Sequence, residues 1–148
     1  MKRLIFVAVA TTLLAASACQ PTTNPDYQAE EKVHDEIMAI HDEVMPKMGE
    51  VNRLGRELKK AAEKLPATDE YNKANIAQAI RQLEKADDAM GRWMANYQPP
   101  SKKRGELNHE YIMMYLDREK EKVELVRTLT AESMSTAKDI LAGVEKTE

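Results

Sequence analysis

Apolar residues recur at alternating steps of four and three along much of this chain. From Val33 the series passes through Ile37, Ile40, Val44, Val51, Leu54, Leu58 and Ala61 to Leu65. That is the seam of a helix packed against other helices, and it predicts a first helix from about Asp26 to Leu65. Pro46 falls inside it. A proline there removes the hydrogen bond to the Asp42 carbonyl and crowds that turn, at a cost of about 3 kcal/mol unless the helix kinks. Gly49 and Gly55 weaken the following turns by roughly 1 kcal/mol each relative to Ala. The seam nevertheless continues in register, so a kinked single helix is expected.

Pro66 closes this helix, and Thr68 or Asp69 is placed to cap the next. A second helix, about Asp69 to Tyr97, sets Ile76, Ile80, Leu83, Met90, Met94 and Tyr97 on one face with Trp93 at its margin. Asp87 interrupts that face, and Gly91 suggests a close helix approach or local looseness. Pro99-Pro100 and a basic loop to Gly105 follow. The third helix, about Glu106 to Ala142, carries Ile112, Leu116, Val123, Val126, Thr130, Ala137 and Ile140. Glu119, Thr130 and Ser133 dilute its seam, Leu125 and Leu129 widen it, and Gly143 is a natural C-cap. Long amphipathic helices joined by short loops predict an all-α, antiparallel up-down-up three-helix bundle with coiled-coil-like helices. The first helix would be about 60 Å long if straight. The second is shorter, so apolar overhangs at the ends would call for a homodimer.

The first 28 residues do not share this pattern. Lys2 and Arg3, then apolar Leu4 to Leu14, then Ala15-Ala16-Ser17-Ala18 form an export signal over residues 1–18. Its apolar run is too short for a permanent membrane span. The one cysteine, Cys19, follows the small residues directly, which is the bacterial lipoprotein pattern: the thiol is lipidated and becomes the membrane anchor. A lone cysteine also excludes an intramolecular disulfide. Gln20 to Gln28 is polar, with two prolines and no periodicity. It reads as a flexible tether, residues 19–28, reaching at most about 30 Å ahead of a bundle over 29–148. No Asp follows Cys19 and no acidic run directs the protein outward, so a site in the cell envelope facing the periplasm is expected.

Composition supports long helices: of 148 residues 43% are hydrophobic, 32% are charged, and only five are Gly. Net charge is −3, and removal of Lys2 and Arg3 brings it to about −5. This is not the basic footprint of a nucleic-acid binder. Lys102-Lys103-Arg104 is the one concentrated positive run and reads as a solvated loop.

Catalytic motifs are lacking: no GxSxG elbow, no glycine-rich phosphate loop and no HExxH. A non-enzymatic protein is therefore expected. One residue round from the first seam lies a second stripe, His34, Met38, His41, Met45 and Met48. Imidazole suits Cu(II) and Zn, and thioethers select Cu(I), so copper or zinc binding is the chemical alternative. Asp35, Asp42 and Glu43 are near in sequence but off the stripe. Methionine beside a helical seam is also ordinary core filler. In the segment Met90-Gly91-Arg92-Trp93-Met94, two thioethers one turn apart flank an indole, a set that suits Cu(I) with a cation-π contact; equally, a large aromatic closes one end of a thin core. Met113 and Met114, being consecutive, cannot both face that core. An adaptable Met-rich surface also suits an envelope protein partner or chaperone-like binding of varied chains.

HDEVMPKMGE (His41–Glu50), the Leu-rich continuation, the MxxWM segment ahead of a Pro-containing loop and the final charged helix, together with the signal and Cys19, resemble small lipoproteins of Bacteroidetes labelled "viral A-type inclusion protein". The resemblance implies a lipid-anchored helical protein. It carries over no catalytic residue.

Overall fold

The computed structural model describes residues 24–145. The export signal, Cys19 and the start of the tether lie outside the described residues. Five helices run in order: α1 (Pro25–Val44), α2 (Met48–Lys64), α3 (Glu70–Asn96), α4 (Pro100–Lys103) and α5 (His109–Glu145). The three long stretches pack together as an up-down bundle.

Local chemistry sets the boundaries. The Asn24 side chain accepts from the Asp26 amide at 2.9 Å and Pro25 occupies the first turn, a combination that starts helices well. The helix thus begins inside the segment read as tether, and Pro25–Gln28 are helical. At Pro46 the chain does not break; Met45–Lys47 tighten into a 3₁₀ turn joining α1 to α2. Asp69, rather than Thr68, caps α3, accepting from the Asn72 amide at 3.2 Å. The third long helix starts three residues later than its periodicity suggests, because the Asn108 side chain caps it through the Tyr111 amide at 3.1 Å. Gly143 does not terminate α5, which continues to Glu145 with no positive φ among the described residues.

The kink divides the labour of packing: α1 lies on α5, α2 lies mainly on α3, and α3 and α5 pack along each other. Ile37, Ile40, Val44, Val51, Leu54, Leu58 and Ala61 are buried as the seam predicts. Met48 joins them, because it is four residues beyond Val44 and three before Val51, the seam place the sequence otherwise leaves vacant. On α3 the buried line is Ile76, Ala79, Leu83, Ala86, Met90 and Trp93. Trp93 therefore holds the core position, and Met94 is 43% exposed. Gly91 is not a close approach: a Cβ there would meet nothing within 4 Å. On α5, Leu125 is 59% exposed and does not widen the seam. The buried Thr130 and Ser133 hydroxyls donate to the Val126 and Thr130 carbonyls of their own helix, which removes the penalty of burying them.

Candidate functional site

Backbone approach between α1 and α3 is sparse, and side chains fill the space between them. His34 Nδ1 meets the Tyr97 hydroxyl at 2.6 Å, and the two rings stack with centroids 5.8 Å apart. Trp93 stacks on Tyr97 at 4.9 Å, and His41 lies tilted against Trp93 at 5.7 Å. Tyr115 of α5 extends the series, 6.4 Å from Tyr97, with its hydroxyl between the backbone amide and carbonyl of Gln98. Five rings from three helices thus form one ladder at the end of the bundle where the Pro99-Pro100 turn lies.

The ladder brings together the two methionine-bearing segments. His41 Nδ1 is 2.9 Å from Asp42 Oδ1, and its Nε2 is 3.4 Å from Met94 Sδ. The five residues of the His/Met stripe are distributed instead: Met48 lies in the core, Met38 is partly buried against it, Met45 is exposed, and the Nδ1 of His34 is engaged by Tyr97. Among the described residues no group of three or more His, Cys, Asp or Glu has a metal-holding arrangement. Met113 packs against the core and Met114 faces out.

Burial has consequences for the ring chemistry. Desolvation pushes the Tyr97 phenol well above its ordinary range, and Tyr115, Glu119, Glu31 and Asp35 push the same way. Tyr115 is raised chiefly by burial as well. Trp93 Nε1 is buried and finds no acceptor among the described residues. Leaving such a donor unpaired costs roughly 1–3 kcal/mol.

Beside the ladder lies a network that helical spacing could not reveal. Glu30 is fully buried on α1. Its carboxylate accepts from Arg104 Nε at 2.7 Å and faces His109 Nδ1 at 2.9 Å. Arg104 also donates to Glu31 at 2.7 Å and lies over the Tyr27 ring, 4.2 Å from its centroid. Lys103 sits over Tyr115. The basic run read as a solvated loop is therefore docked through two of its three cations. The only trace of this in sequence is charge: acidic residues in the second turn of α1 and a basic linker, some seventy residues apart.

Two concavities flank these features. An open depression of about 800 Å³ beside Tyr27 and Arg104 is lined largely by charged α1 residues, Glu31, Lys32, Asp35 and Glu36. A groove of about 300 Å³ between α3 and α5 is lined by Ala89, Trp93, Leu125, Val126 and Leu129, with Arg92, Asn96, Glu119 and Lys122 completing its wall. No helix among the described residues is long and apolar enough to cross a membrane. No known protein family, characterised protein or solved structure matches the chain.

Proposed function

We propose that this is a non-enzymatic cell-envelope protein, lipid-anchored through Cys19, that works by holding a helical segment of a partner protein against α3 and α5. One observation carries the reading. Tyr111, Met114 and Leu125, all on α5, are respectively 58, 49 and 59% exposed. Their spacings of three and eleven keep them on one helical stripe, with the exposed charges Arg118 and Glu121 between Met114 and Leu125, and Leu125 opens onto the groove between α3 and α5. An amphipathic helix laid there would cover the stripe and complete a fourth wall of the bundle. Exposed methionine and tyrosine on such a stripe suit varied apolar partners, so chaperone-like binding belongs to the same reading. The anchor rests on the export signal and the position of Cys19, and on the likeness to small lipoproteins.

The test is site-specific photo-crosslinking in intact envelopes. A photoreactive residue at position 125 should give a discrete adduct that the same residue at position 78, on exposed α3 surface, does not give. Cys19→Ala should move the protein from the membrane to the soluble fraction. Equal labelling from both positions, or no adduct from 125, refutes the docking face; continued membrane retention of the Cys19 variant refutes the anchor.

A further inference from the structure

The contact between His41 and Met94 is unusual in what it lacks. A carboxylate only accepts hydrogen bonds, so in the 2.9 Å contact with Asp42 the His41 proton lies on Nδ1. In that neutral tautomer Nε2 presents its lone pair to a thioether sulfur 3.4 Å away, and neither atom then has a proton to share. An imidazole nitrogen and a soft sulfur donor from different helices face each other, as they do around a metal ion.

The distance suits one. At bond lengths like those of zinc, about 2.0 Å to imidazole nitrogen and about 2.3 Å to sulfur, an N···S separation of 3.4 Å closes to an angle of about 105° at the ion. The Asp42 contact is the carboxylate–histidine arrangement that fixes the tautomer and orientation of a metal-bound ring. Thioether sulfur selects Cu(I) over Zn. Met45, one helical turn beyond His41 and 38% exposed, lies on the same face as a further thioether. Trp93 flanks the imidazole at 5.7 Å, and an indole face attracts a cation.

The geometry points to a Cu(I) site between α1 and α3, with His41 Nε2 and Met94 Sδ as ligands, Met45 as the third donor and the Trp93 ring alongside. It shares His41 and Met45 with the sequence stripe but takes its second anchor from α3, which a single-helix pattern does not reveal. Its ligands lie outside the docking groove between α3 and α5, with which it shares only Trp93.

Trp93 is the one tryptophan of the chain, so no other indole contributes to its fluorescence, and Met94→Leu distinguishes quenching at the site from events in the groove that Trp93 also lines. The whole chain carrying Cys19→Ser, which removes the competing thiol, is titrated with Ag(I) as a redox-inert probe. Cu(I) is titrated in ascorbate under argon against a colorimetric Cu(I) chelator. Saturable quenching at one equivalent is expected. Met94→Leu and His41→Gln should each weaken binding at least about tenfold, and Asp42→Ala, a positioning change, about tenfold. Met114→Leu should leave affinity unchanged, and excess Zn(II) should not displace the ion. Circular dichroism confirms folding of each variant, and Met94 is exposed enough for its leucine variant to fold. Absence of quenching at one equivalent, or quenching that persists undiminished in Met94→Leu, overturns the site.

Discussion

At Tyr97, burial opposes the phenolate first, and Tyr115, Glu119, Glu31 and Asp35 oppose it further. The sign follows directly. A phenol whose folded pKa is raised stays neutral in the bundle after the unfolded chain has begun to ionise, so its stabilisation is complete below about pH 10 and is lost as pH rises beyond. In an alkaline absorbance titration the last phenol to ionise should disappear in Tyr97→Phe, and that variant should lose stability less steeply above pH 10. Its neighbours show how far single residues were legible. The core line of α3 steps 76, 79, 83, 86, 90, 93, and two of those places are alanines. Hydrophobicity ranks Met94 and Ile80 above Ala79 and Ala86, so a pattern built on the larger side chains drifts one residue off the true face and leaves Trp93 at its edge. Helix geometry fixes the step, but not which small residue takes it.

Among the elements, the helices were legible and their joints less so. Periodicity places all three long stretches, because burying one apolar stripe is what stabilises them. The ends depend on local hydrogen bonds instead: Asn24 and Asn108 are ordinary polar residues until their side chains close on an amide two or three residues ahead. Gly91 is mid-helix with open space where a Cβ would be. Gly91→Ala should therefore stabilise the protein by roughly 0.5–1 kcal/mol in denaturant unfolding. The joint between α3 and α5 behaves in the opposite way. Arg104→Ala strands a fully buried Glu30 carboxylate beside His109, and the expected loss is about 3 kcal/mol. Replacing Glu30 and Arg104 together by leucine should cost less than the Arg104 change alone, because the stranded charge goes with its partner.

Across the whole molecule, half-exposed ion pairs tie α5 to both halves of the kinked helix: Lys120 to Glu36 at 2.7 Å and Lys138 to Glu50 at 2.8 Å. The hydrogen bonds from Lys120 and Lys138 hold Glu36 and Glu50 below the ordinary carboxylate value of 4.5. On acidification the unfolded chain takes up protons first, so this stabilisation is complete above about pH 4.5 and is lost below it. Melting temperature should fall as pH drops through that range, and less steeply in the Glu36→Gln, Glu50→Gln double variant. Such pairings span more than eighty residues of sequence, beyond the reach of any helical repeat. The bundle was legible from one dimension; the clasps between its members required three. The Glu30–Arg104 clasp has a mechanical meaning as well. A pull applied to the chain at Asn24 would enter α1 at its first turn and reach Glu30 before the apolar seam. Such a load would peel the helix from its end, past Asp26 beside His109 and Tyr27 under Arg104, and that ionic knot is the first fully buried charge it would have to expose.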